Sequence, residues 1–131
     1  MPGIGQEARD GKFGFTVTGM NTAKTTGDPS NPYEQATAQG FYVIVSMTVQ
    51  NTGDRAQSFF ATNQKLIDSA GRQYSPDSNA DMWLNKAIQT DINPGNQVQA
   101  KVAFDVPEGT QPSTIELHDS MFSGGVKVRL S

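Results

Sequence analysis

The chain has 131 residues, 35% of them apolar, with 13 glycines, 7 prolines, no cysteine and a formal net charge of −3. That length encloses one domain around one core, and the missing cysteines exclude disulfides, thiolate metal sites and a cysteine nucleophile. Lysines and arginines are scattered singly from Lys12 to Arg129, so the positive face that nucleic acid requires is lacking, and no apolar run approaches the ~20 residues of a membrane-spanning helix.

The opening MPGIGQEARDG has neither the charged start nor the apolar core of a signal peptide. Residues 1–11 read as a flexible lead or tether remnant before a domain at 12–131. KFGFTVTG places Phe13, Phe15 and Val17 on one face of a strand. Residues 21–39, NTAKTTGDPSNPYEQATAQ, read as a polar connection of a length that compact domains rarely carry without a functional reason. The clearest strand follows: in FYVIVSMTVQN, Phe41, Val43, Val45, Met47 and Val49 share an apolar face, and Tyr42, Ile44, Ser46, Thr48 and Gln50 the other. Asn51 to Asp54 supplies turn chemistry, since Asn and Gly tolerate left-handed backbone.

QKLIDSAGRQYS reads as a hairpin turning at Asp68–Gly71. Residues 76–92, PDSNADMWLNKAIQTDI, set the only tryptophan in irregular, polar surroundings, with a short strand expected near Met82. QVQAKVAFDV points Val98, Ala100, Val102, Phe104 and Val106 inward between turns at Asn93–Asn96 and Pro107–Gly109. STIELHD and VKVRL close the series. The spacing predicts an all-β, immunoglobulin-like sandwich of about seven antiparallel strands.

Chemistry is sparse. The single histidine, His118, lies in ELHDSMFSGG beside Asp119 and Ser120, with Glu116 two residues earlier. Strand alternation sends Glu116 and His118 to solvent if Ile115 and Leu117 face the core, and turns Asp119 away from the imidazole. Triads assemble from groups remote in sequence, so no catalytic residue is assigned and no enzyme is expected. Asp77, Asn79 and Asp81 alternate like the first half of a calcium loop, but the required glycine is Met82 and the twelfth position is Ile88 rather than an acid. His118 and Met121 offer the soft donors of a Cu(I) site. Metal binding at either place is the alternative reading; no cofactor is expected. The Gly124-Gly125 pair precedes a strand, not a helix, so it is no phosphate loop.

Phe59, Phe60, Met82, Trp83 and Phe122 cannot all be placed inward by alternation. They are expected to cover the open ends or an edge of the sandwich, and an exposed cluster of this kind marks contact with a protein or a glycan. The expected contact region is Met82, Trp83 and Asn85, with Tyr33 from the long connection. An exposed sheet edge is a second route to association, by pairing two copies or accepting a foreign strand.

The order FYVIVSMTVQNTGD, NQKLIDSAGRQY, INPGNQVQAKVAFDVPEGTQPSTIELHDS and GGVKVRL resembles a family of bacterial extracytoplasmic immunoglobulin-like domains of unknown function. These occur in actinobacterial and firmicute lipoproteins and are similar to the mycobacterial secreted immunoprotective antigen. The label telomeric repeat-binding factor sometimes given to such proteins conflicts with the acidic charge. The resemblance spans residues 12–130, through turn and strand devices such as Asn51-Thr52-Gly53 and Phe104-Asp105-Val106-Pro107. It implies export, so the chain is expected to be secreted or anchored at the cell surface, with an upstream lipid anchor as its one membrane link. It further implies a non-catalytic binding or adhesion module of the cell envelope, whose partner is another envelope protein, a host protein or a glycan.

Overall fold

The computed structural model describes residues 1–85 and 91–131. Ile88, the twelfth position of the calcium-loop pattern, lies outside the described residues. In chain order the strands are β1 (Glu7–Asp10), β2 (Phe13–Gly27), β3 (Gln35–Asn51), β4 (Gln57–Ser58), β5 (Lys65–Asp68) and β6 (Gln73–Tyr74). Helix α1 (Ser78–Leu84) follows, then β7 (Asp91–Ile92), β8 (Gln97–Val106), β9 (Pro112–Leu117) and β10 (Val126–Arg129). One sheet runs β1-β2-β3-β8 and the other β10-β9-β5-β6, with β4 and β7 as a two-stranded annex. All pairings are antiparallel, and the architecture is an all-β, immunoglobulin-like sandwich.

The main core forms as alternation requires. Phe13, Phe15 and Val17 of β2 and Val43, Val45, Met47 and Val49 of β3 face Leu66, Ile115, Leu117 and Val128 of the opposite sheet, all buried. Burying each such side chain is worth about 1.5–3 kcal/mol. The Phe15 ring meets Phe13 and Phe59 edge-on, at centroid distances of 5.8 and 6.5 Å, the arrangement that ring quadrupoles favour.

Four expectations need correction. The lead at 1–11 is not loose: β1 pairs with β2 from Glu7↔Thr16 to Asp10↔Phe13, the Gly5 N–H donates to Val17 O, and the Arg129 N–H donates to Pro2 O. The connection at 21–39 is mostly strand, because β2 and β3 pair as far as Gly27↔Gln35 around a short 3-10 turn at Pro32–Glu34. Its threonines and alanines fit a pleated surface without producing apolar alternation.

The expected strand near Met82 is helix α1. Asp77 caps it, with Oδ1 accepting from the N–H groups of Asn79 and Ala80. This helix creates a second, smaller core on the outer face of β3, which alternation had left open. Tyr42 and Ile44 are buried there with Ala36, Ala38, Ala80 and Ala103, and Trp83 and Leu84 pack against them.

Asn51, fourth, contributes side-chain bonding rather than left-handed backbone. Among the described residues none other than glycine has positive φ. Asn51 is fully buried, donates Nδ2 to Arg55 O and Ile92 O, and accepts from the Gly53 N–H.

Candidate functional site

Two segments form the walls of an open groove of about 660 Å³. One wall runs from β4 through Phe60 into the 3-10 turn Ala61–Asn63; the other is the loop after β9, from Asp119 to Phe122. Phe60, Met121 and Phe122 are 57%, 73% and 91% exposed, an apolar cluster that folding leaves uncovered. Gln57, Thr62 and Asn63 add neutral polar side chains, and none of the three makes a side-chain hydrogen bond among the described residues.

Gln64 ties the two walls together. It is fully buried; its Nε2 donates to Phe60 O at 2.9 Å and His118 O at 3.2 Å, while its Oε1 accepts from the His118 N–H at 2.7 Å. A glutamine in a polar sequence context gives no hint of this, because two of its three bonds go to backbone groups 54 residues away.

His118 holds the far end of the loop. Glu116 and His118 do share a face, as alternation requires, but His118 is 8% exposed rather than solvated. The strand ends at Leu117, and the chain then folds back over the ring. Nε2 lies 2.7 Å from Glu116 Oε1, and Nδ1 lies 3.2 Å from both the carbonyl and the hydroxyl of Ser123. With Nε2–H donating to the carboxylate, a neutral ring can accept at Nδ1 from the Ser123 hydroxyl.

Glu116, His118 and Ser123 thus form an acid, imidazole and hydroxyl line that the sequence reading, focused on Asp119 and Ser120, missed. Ser120 O lies 3.1 Å from Ser123 Oγ, so the single hydroxyl proton has two acceptors within reach, His118 Nδ1 and Ser120 O. Gly125, at φ +80°, packs under the ring, where a Cβ would sit 2.5 Å from His118 Cε1; position 125 excludes a side chain on both counts.

The β1–β2 turn completes the fixation. Asp10 accepts from the N–H groups of Asp119 at 2.7 Å and Gly125 at 3.1 Å, and Asp119 Oδ2 accepts from the Lys12 N–H at 2.9 Å. The loop carrying Met121 and Phe122 is therefore anchored on both sides of its apolar tip.

The other sequence candidates have different surroundings. Asn85 pairs with the backbone of Lys101, donating to its carbonyl at 2.7 Å and accepting from its N–H at 2.9 Å. Trp83 is half-buried in the second core. Met82 and Tyr33 are exposed, the former on α1 and the latter in the hairpin turn at the end of β2.

The proposed calcium ligands diverge: Asp77 caps α1 and accepts from Tyr42 Oη at 3.3 Å, while Asp81 turns inward and accepts from the Ala103 N–H at 2.7 Å. Burial, with the Asp77 charge adding to it, pushes the Asp81 carboxyl up to about 7 despite that bond. Tyr42 is pushed up to about 12 by burial first and by Asp77 second. Both nitrogens of His118 are engaged away from Met121. Among the described residues no three His, Cys, Asp or Glu side chains converge to hold a metal ion.

The model of a family described as "Domain of unknown function (DUF4352)" matches residues 2–128. No curated protein matches the chain. Among solved structures, the yjhA protein from Bacillus subtilis is 16% identical with a TM-score of 0.72, covering 100% of both chains. The secreted Mycobacterium tuberculosis protein MPT63 is 17% identical with a TM-score of 0.64, covering 94% of each. An uncharacterized β-sandwich protein from Clostridium difficile is 11% identical with a TM-score of 0.59, covering 98% of this chain and 91% of its own. At these identities the likeness is one of fold.

Proposed function

The chain belongs to the DUF4352 family of domains of unknown function, and within it we propose an extracytoplasmic, non-catalytic binding or adhesion module of the bacterial cell envelope. The observation carrying this reading is the groove itself: an exposed apolar cluster whose two walls are fixed by Gln64, His118 and Asp10. A surface prepared in its binding conformation loses less freedom on association, and a contiguous exposed apolar patch is what contact surfaces share. Export is supported by the secreted character of the mycobacterial structural neighbour. The Glu116, His118 and Ser123 line is read as a clamp, because the imidazole is buried beneath a loop whose root Gln64 and Asp10 also hold.

Retention of the purified domain on isolated bacterial envelope material tests the proposal. The double variant Phe60→Ala, Phe122→Ala should keep its circular dichroism spectrum and lose retention, whereas Tyr33→Ala and Met82→Ala should be retained as the parent is. Unchanged retention of the double variant would remove the groove from consideration.

A further inference from the structure

We propose that the groove binds a neutral saccharide, with Phe60 and Phe122 as stacking platforms and Gln57, Thr62 and Asn63 as hydrogen-bonding groups. This rests on the reading of the groove as the contact surface and names its ligand class.

Charge narrows the choice first. Among the described residues the only charged side chain lining the groove is Asp119, and its Oδ2 already accepts from the Lys12 N–H. With no lysine or arginine among the described residues of either wall, phosphates, nucleic acid and acidic polymers lack the charge-assisted donors they need there. A basic peptide would find a single, partly engaged carboxylate.

The polar side chains narrow it further. Gln57 and Asn63 each present both donors and an acceptor, and Thr62 a hydroxyl; none is used within the described residues. They flank two exposed phenyl rings. A sugar ring offers matching chemistry: a face of C–H groups that packs on an aromatic ring, and an equator of hydroxyls that both donate and accept. A protein partner would cover the rings but leave these amides needing partners of their own, at the desolvation cost of each unsatisfied group. The volume of about 660 Å³ falls within the range of ligand pockets, about 300–1,000 Å³, and the open form suits a chain that runs through it.

Two measurements test the inference on the intact protein. Titration with neutral oligosaccharides that carry vicinal diols (β-1,4-glucan, α-mannan) should give saturable shifts of the Met121 methyl resonance for at least one of them. Phe122→Ala should weaken that binding about tenfold, and Asn63→Ala should weaken it similarly, with Met82→Ala unchanged. Envelope retention should be abolished by periodate, which cleaves vicinal diols, and survive protease treatment; periodate-sensitive, protease-resistant retention supports the saccharide class even where the titrated set lacks the right sugar.

Protease-sensitive, periodate-resistant retention that Phe122→Ala still abolishes would overturn the saccharide while leaving the groove as a protein contact. Concentration-dependent self-association lost in Phe122→Ala, without saccharide shifts, would replace the sugar by a second copy. Saccharide shifts equal in parent and variants would move the ligand elsewhere. Absence of both saccharide and envelope binding would remove this inference and the proposed function together.

Discussion

Asp81 has the most unusual surroundings of any single side chain here. Its Oδ1 accepts from the Ala103 N–H, while its Oδ2 is buried with no hydrogen-bond partner among the described residues. A buried carboxylate with one oxygen unpartnered is costly to ionise, which is why the group holds its proton up to about pH 7. The unfolded chain gives up that proton near the ordinary aspartate value of 3.8. Between those values the folded state binds more protons, so stability should fall as pH rises from about 4 to 7 and level off above. Asp81→Asn keeps the acceptor for Ala103 and removes the ionisation. Denaturant titrations from pH 4 to 8 should show a flatter profile for this variant, and a gain of about 2 kcal/mol over the parent at pH 8; equal slopes would show that Asp81 is not the group responsible. Asp68 is the contrary case. Burial works to raise it, but bonds from the Arg72 N–H, Tyr74 Oη, Arg72 Nε and the Ala70 N–H outweigh burial and hold it at about 2. The hairpin turn at Asp68–Gly71 was legible as a turn, yet nothing in DSAG shows that a tyrosine six residues on would share its carboxylate.

Among elements, the groove shows how little of a wall's position is set by its own sequence. The loop from Asp119 to Phe122 has no secondary structure of its own, and backbone groups at its root are bound by Gln64 from one side and Asp10 from the other. Gln64→Ala leaves Phe60 O, His118 O and the His118 N–H without their buried partner, at an expected cost of about 2–4 kcal/mol. The same change should broaden the Met121 methyl resonance as the loop loses its root. A small stability loss with an unbroadened methyl would show that the walls stand without Gln64. Glu116 and His118 carry a related lesson. Alternation correctly put them on one face, but exposure of that face depended on what the chain did after Leu117, and periodicity within a strand carries no information about the loop that follows it.

For the whole molecule, β8 stands at one edge of its sheet. At Lys101 and Ala103 the outward backbone groups are occupied: the Asp77 N–H donates to Ala103 O, Asp81 accepts from the Ala103 N–H, and Asn85 serves both groups of Lys101. Asp81 and Asn85, four apart on the helix, match residues two apart on the strand, so α1 and its cap stand in for a missing neighbour strand. Uncovered edges recruit other chains. Asn85→Ala should therefore produce concentration-dependent association, visible by light scattering on a sizing column, where the parent's state changes less with concentration. An unchanged elution and mass would mean that the Asp77 and Asp81 contacts suffice to close the edge.

Period-two hydrophobicity and turn residues were enough to specify the sandwich, its principal strands and the inward face of each, because side-chain direction in a strand is local geometry. The same local rule was silent on the second core beneath α1, where alanines and a tyrosine are buried only because a helix happens to cover them. It was silent too on the bonds from Gln64 to the His118 backbone and from Asp10 to Asp119 and Gly125, which join residues 54 to 115 apart. Membership of the core was thus written into the order of residues. Which apolar side chains stay uncovered, and which polar ones hold them there, was decided by contacts between distant segments that exist only once the two sheets have closed on each other.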